Sequence, residues 1–335
     1  MPVVLKRGGL KLLVSKVTRV FDASKGFKPI TNLMSFVDCT IAKRGNQWQM
    51  FAAGIVRGAS NQMDMTLFSA RLPEGAPLSS IGWKIDTDPS DPTKAAVLAG
   101  KSNSYLWDGK GGRHCPSYVK GFDPDKNRWV ERIYYAGAAE NFSGPYTIGF
   151  LEWDGKAWID QPTPAFTAEE DWEHGSVYEP NLIYHDGKWK MWYVAGSNQE
   201  DYLVQGYAES RNGRTGWSKH EIVFPAQEHV FDFCVLQTSD DNFEAVFSRV
   251  NVANRTDLPN TGLWWCKAKV PSPKMSDWSK PVRISGPGYW KPVLRYGEID
   301  PKRMFVFCNS VIPNTSGKGM PFYFTIECIE LNRPE

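Results

Sequence analysis

The sequence predicts an all-β protein, a five-bladed β-propeller of four-stranded antiparallel blades around a central channel. Two observations carry this. The chain holds 14 Trp, 13 Tyr, 18 Phe and 29 Gly in 335 residues, a composition that suits strands and tight turns over helices. One pattern also recurs five times: a polar residue, often before proline, a short apolar run, a turn, and a second aromatic-rich run ending near Gly or Ser.

The copies are "VDCTIAKRGNQWQMFAAG" from Val37, "HCPSYVKGFDPDKNRWVERIYYAG" from His114, "YEPNLIYHDGKWKMWYVAG" from Tyr178, "FDFCVLQTSDDNFEAVFS" from Phe231 and "WKPVLRYGEIDPKRMFVFCN" from Trp290. A third apolar run follows each hairpin: "DMTLFSARL", "YTIGFLEW", "LVQGYAES", "GLWWCKAKV" and "FYFTIECIEL". A fourth segment, often marked by Trp, completes the first four units: "IGWKI", "KAWIDQ", "TGWSKHEI" and "SDWSKPVRI". Alternation with period 2 and turn residues between runs support strands throughout. The expected blades span roughly 30–90, 112–165, 176–224, 229–285 and 288–330 of one domain. The fifth lacks an outer strand of its own, and residues 10–22 are expected to supply it. Most aromatic residues are expected to be filler between blade faces.

Alignment of the copies places Asp38, Cys115, Glu179, Asp232 and Lys291 in register. The first strand of each propeller blade lines the channel, so one register position becomes one ring of side chains. Three carboxylates and an amine gathered in this way would push one another's pKa values apart. Two carboxyl groups held by a rigid scaffold are what glycosidic bond cleavage requires.

Composition narrows the alternatives. A formal net charge of +2, with no long Lys or Arg run, supplies no field to gather nucleic acid or an anionic membrane. The N-terminal stretch has charges throughout its apolar residues and lacks the h-region of a signal peptide. A soluble, cytoplasmic protein is expected, and the sequence assigns no oligomeric state. The six cysteines form no CxxC pair, so buried free thiols are expected and no metal site is assigned.

The architecture and three short places resemble the five-bladed propeller glycosidases of glycoside hydrolase families 43, 32, 68 and 117. "FVDCTIAKRGNQWQMFAAG" looks like the first-blade motif, and the resemblance gives Asp38 the role of base or nucleophile. "YEPNLIYHDGKWKMWYVAG" looks like the third-blade motif, which gives Glu179 the role of general acid. "HCPSYVKG" stands where these families carry a second-blade Asp, but here Cys115 and Ser117 flank Pro116 and no carboxylate is present. Asp232 is the expected substitute.

The resemblance implies hydrolysis of a furanoside or small oligosaccharide, with inversion as the expected outcome, Asp38 acting as base, and retention as the alternative if it acts as nucleophile. No cofactor is expected. A structural Ca²⁺ occurs in related enzymes, although no ligand cluster in the sequence reads as one. A phosphorylase resembling family 130 and a binding-only propeller are the alternatives. For contacts to a carbohydrate substrate the sequence offers His114, Ser117, Lys291 and Arg113. Trp172 is either a sugar-stacking wall or packing, and His174 is either an alternative acid or a surface residue. Arg113 and Arg249 either meet a ligand anion or are solvated. "SYLWDGKGGRH" reads as a lid over the channel.

Overall fold

The structure, a computed structural model, describes residues 14–57, 63–100, 107–109, 112–140, 143–197, 202–221, 224, 230–249, 261–298, 302–316 and 321–332. Five four-stranded antiparallel sheets form a ring, the five-bladed β-propeller. Their innermost strands are Val37–Arg44, Gly112–Asp123, Val177–His185, Val230–Ser239 and Trp290–Tyr296. The second strands are Gln47–Arg57, Arg128–Ala138, Lys188–Ser197, Asn242–Arg249 and Arg303–Pro313. In blades 1 to 4 the chain runs outward strand by strand. Blade 5 differs, because its outer strand, Val14–Asp22, comes from the other end of the chain and pairs antiparallel with Phe322–Asn332. Among the described residues, no helix is long and apolar enough to cross a membrane.

The core lies between blade faces. Val119, Tyr134, Trp189 and Tyr193 belong to one cluster between blades 2 and 3, and Trp192, Phe233, Phe243 and Phe247 to another between blades 3 and 4. These aromatic side chains are essentially fully buried. Such packing demands glycine where a ring lies flat on a strand. A Cβ on Gly149 would stand 2.1 Å from the Trp107 ring, and one on Gly206 would stand 2.3 Å from Tyr193.

The innermost strands share one irregularity. Each carries one extra residue relative to its partner, between Val37 and Thr40, His114 and Ser117, Tyr178 and Asn181, Phe231 and Cys234, and Trp290 and Val293. This is a β-bulge, which re-aims a side chain at the cost of a ladder bond. Pro116, Pro180 and Pro292 occupy the position after the bulged residue, where proline does not interrupt regular pairing.

Two residues beyond the bulged residue, a side chain clasps the next blade. Thr40 Oγ1 accepts from Tyr118 N at 3.3 Å, Ser117 Oγ from Leu182 N at 3.1 Å, and Asn181 Oδ1 from Val235 N at 2.8 Å. The Cys234 sulfur accepts from the backbone of Leu294. Val293 has no acceptor to offer, and at that junction Arg295 Nε donates instead to Ile41 O at 2.5 Å.

Candidate active site

The five bulged residues are Asp38, Cys115, Glu179, Asp232 and Lys291, with φ of 51°, 53°, 53°, 57° and 52°. Left-handed backbone costs a non-glycine residue on the order of 1 kcal/mol or more. Five equivalent residues bear that cost. In return, each side chain turns out of the alternating pattern of its strand and meets the others at one end of the channel.

The contacts run around the ring. Asp38 is half-buried and the other four are nearly inaccessible. Lys291 Nζ forms an ion pair with Glu179 Oε2 and stands 3.8 Å from Asp232 Oδ1. The Cys115 thiol donates to Glu179 Oε1 at 2.7 Å, and its sulfur lies 3.6 Å from Asp38 Oδ2. His114 Nδ1 is 2.8 Å from the same sulfur. The Cys115 sulfur therefore stands between the Asp38 and Glu179 carboxyl groups.

Two second-strand residues hold the acids in place. Asn309 Nδ2 donates to Asp38 Oδ1, and Asp38 N donates to Asn309 Oδ1 at 3.0 Å. Ser248 Oγ donates to Asp232 Oδ2 at 3.2 Å, and Lys291 N donates to the same oxygen at 2.8 Å. An aromatic arc lies beside them, in which the ring centroids of His114 and Tyr146 are 4.7 Å apart, those of Tyr146 and Tyr178 5.2 Å, and those of Tyr178 and Phe231 6.1 Å. Sequence reading did not single out Asn309, Ser248 or Tyr146. For the first two a signal existed: blades 1, 2 and 3 have Ala53, Ala136 and Val194 at the equivalent second-strand position.

Electrostatics separate the acids. Burial and the nearby Glu179 charge raise Asp38 to about 7. Burial pushes Glu179 upward most strongly of any single effect, but the Lys291 ammonium together with hydrogen bonds from Asp232 and Cys115 outweighs it and leaves this carboxyl below its ordinary range. Asp232 is raised well above the carboxylate range by burial and then by the Glu179 charge. Burial lowers His114 to about 4, so its imidazole is neutral, and raises the Cys115 thiol far above its ordinary value. Lys291 is raised by the Glu179 charge against the effect of burial, and stays charged. The ring therefore holds a firmly ionised Glu179 beside an Asp38 that titrates near neutrality. The resemblance to known families assigns these two the opposite protonation states.

Other expected site residues are placed elsewhere. Arg113 is fully buried, with Nε 2.6 Å from Asp108 and Nη2 3.0 Å from Asp160, and packs over Tyr135. It cannot reach a ligand anion, because Asp108, Asp160 and the carbonyl of Ala99, to which Nη1 donates at 3.2 Å, occupy its planar fork. The phosphorylase reading thereby loses one of its cations. Asp108 and Trp107, expected in a lid, belong to this buried packing; residues 104–106, 110 and 111 of that stretch lie outside the described residues. Ser117 is occupied by the clasp to blade 3. Trp172 packs on Tyr193 in the cluster between blades 2 and 3, 6.1 Å between centroids. His174 is exposed and closes a short 3₁₀ turn in left-handed conformation. The guanidinium of Arg249 lies over Trp264 at 4.5 Å.

Beneath the ring is an axial cavity of about 10 Å³, lined by Thr40, Asn181, Asp232 and Lys291 among others. That is space for about one water. Its lining includes the Cys234 thiol and the Lys291 ammonium. Calcium takes six to eight oxygen ligands, and this set does not fit it.

No protein-family model and no curated protein matches the chain. Solved structures do. A family 117 glycoside hydrolase from the marine bacterium Zobellia galactanivorans superposes with a TM-score of 0.60 at 12% identity, over 95% of this chain and 90% of that one. A family 62 α-L-arabinofuranosidase catalytic domain from Coprinopsis cinerea gives 0.57 at 8%, over 89% and 91%. A GH43_1 enzyme from Xanthomonas citri, complexed with xylotriose, gives 0.58 at 10%, over 90% and 88%. Across nearly its whole length, the chain has the five-bladed propeller fold on which these glycoside hydrolases are built.

Proposed function

We propose that the protein is a glycoside hydrolase whose channel ring cleaves a small glycoside bound at the half-buried Asp38 side. The observation that carries this reading is the pair Asp38 and Glu179, held by equivalent bulges in different blades with their protonation states driven apart. A rule of acid–base catalysis applies: two carboxyl groups separated in this way can serve as proton donor and anion at one pH. Asp38, which keeps a proton up to about pH 7, is the donor to the glycosidic oxygen. Glu179 is the anion that attacks or stabilises the anomeric carbon. Attack by Glu179 itself gives retention. Asp232, buried and neutral beside Lys291, holds that cation's backbone and sets the position of its ammonium on Glu179. The likeness to an arabinofuranosidase and to a xylotriose complex supports a furanose or pentose unit as substrate.

A second reading has its own observation. The ion pair between Lys291 and Glu179 neutralises the carboxylate that catalysis needs, which favours a carbohydrate-binding propeller without turnover.

A panel of aryl furanosides and pyranosides, with and without phosphate, distinguishes these readings. Phosphate-independent turnover with retained anomeric configuration is expected, and Asp38→Asn and Glu179→Gln should each lower kcat at least about 100-fold. Activity should decline as pH rises past about 7, where Asp38 loses its proton. Sugar binding that persists in both variants, with no turnover by the wild type, would establish the binding reading.

A further inference from the structure

The fold gathers metal-binding donors that the sequence keeps apart. Asp38 enters from blade 1, His114 and Cys115 from blade 2, and one ligand atom of each lies within 4.8 Å of the others. Consecutive strand residues normally face opposite ways. The left-handed conformation of Cys115 cancels that alternation, so His114 Nδ1 and Cys115 Sγ face each other at 2.8 Å. Their positions are fixed by regular pairing of His114 with Ala136 and by the bonds between Asn309 and Asp38.

We infer that Asp38, His114 and Cys115 form a binding site for a thiophilic divalent cation of the zinc type, with a fourth position directed toward the channel mouth. The donor chemistry selects the metal. A thiolate, an imidazole and one carboxylate are borderline-soft ligands suited to zinc, and three protein ligands with one open position is a known arrangement for it. Around a tetrahedral zinc with bonds of about 2.0–2.3 Å, ligand atoms lie about 3.3–3.8 Å apart. The Cys115–Asp38 distance of 3.6 Å is already in that range. The His114–Cys115 distance must open by less than about 1 Å, a side-chain adjustment on an unchanged backbone.

A second observation is independent of donor type. Three carboxyl groups and a thiol converge on a single ammonium, Lys291, which sits on the far oxygen of Glu179. Asp232 shares a hydrogen bond with Glu179, and its Oδ1 stands 3.8 Å from Lys291 Nζ. A divalent ion between Asp38 and Cys115 would be a second cation in this cluster. Binding would release the Cys115 thiol proton to solvent and form a metal–sulfur bond in its place. The inference rests on this cluster; a bound ion would hold Asp38 as a carboxylate, so the metal-bound ring and the ring with Asp38 as proton donor are alternative states of one site.

The test uses the intact protein, stripped with a chelator, titrated with Zn²⁺ or Co²⁺ and dialysed. Stoichiometric metal by elemental analysis is expected, together with a near-ultraviolet thiolate-to-Co²⁺ charge-transfer band. Cys115→Ser should abolish the band, and weaken zinc binding by more than the 10–100-fold typical of an outer-shell partner. Cys234→Ser, which alters a buried thiol outside the cluster, should leave both unchanged. A wild type that retains no metal, or one whose cobalt complex lacks the thiolate band, overturns the inference even if the variants fail to fold. Equal zinc affinity in wild type and Cys115→Ser overturns it as well. A stripped protein that binds metal but shows no glycosidase activity before metal is added would sink the hydrolase reading alone, and a stripped protein that is active but takes up no metal would sink this inference alone.

Discussion

Replacing Lys291 by Met removes the one cation that the ring shares. The side chain is 5% exposed and its partner Glu179 7%, so solvent cannot compensate. Breaking a buried pair from one side typically costs about 3–5 kcal/mol, because a charge is stranded. The stranded Glu179 can escape by taking a proton, and the cost of doing so follows from its unfolded-state pKa of about 4.3, at about 1.4 kcal/mol per pH unit above it. That ceiling is about 5 kcal/mol at pH 8 and falls to about 1.6 kcal/mol at pH 5.5. The sign agrees with the wild type. Glu179 lies below its ordinary range there, so its pairing contributes stability above the unfolded pKa and loses it as pH falls through the folded one. Urea denaturation followed by tryptophan fluorescence should therefore give Lys291→Met a large deficit near pH 8 and a much smaller one near pH 5.5. Adding Glu179→Gln should restore at least half of the loss near pH 8. A deficit equal at both pH values, or one that Glu179→Gln does not relieve, refutes the argument.

Asp38→Asn should act in the opposite sense. The folded protein binds the Asp38 proton up to about 7, so wild-type stability declines as pH rises from the ordinary carboxylate range to that value. Above it the variant should be the more stable, by up to about 1.4 kcal/mol for each pH unit in that interval. Thermal melts at low and high pH decide this, and a variant less stable at high pH contradicts it. Gly149→Ala pushes a methyl into the Trp107 ring and should cost about 1–3 kcal/mol by urea denaturation; a change under about 0.5 kcal/mol would mean the ring moves freely. Arg113→Met strands the buried Asp108 and should cost about 3–5 kcal/mol with no change in the effect of phosphate on turnover. A phosphate effect that disappears with the arginine would return it to a ligand site.

The fold was legible because its determinants are local and repeated. Turn residues and alternation recur in each unit's own sequence, and a proline follows the bulge in three of the five, as in "CPSY", "EPNL" and "KPVL". The register position was legible for the same reason, and all five of its residues adopt one backbone conformation. What remained hidden depends on chain segments that sequence does not place together. Arg113 reads as an exposed loop cation until Asp108 and Asp160 close on it. Ser117 reads as a site hydroxyl until Leu182 of the next blade donates to it. Trp172 and His174 precede the third-blade strand by a few residues only, yet the 3₁₀ turn directs one into packing and the other to the surface. The protonation order of Asp38 and Glu179 was not legible either, because it depends on which carboxyl Lys291 reaches.

The pairing of Val14–Asp22 with Phe322–Asn332 has a temporal consequence. Blades 1 to 4 can each form from contiguous chain, but the fifth waits for segments more than three hundred residues apart to meet, a slow search for any polypeptide. Until that meeting, the strands that carry Lys291 and Asn309 belong to a blade with an open outer edge. Fastening that edge completes the sheet behind two residues of the site, so loosening the Val14–Asp22 strand should be felt at the opposite, axial side of the molecule.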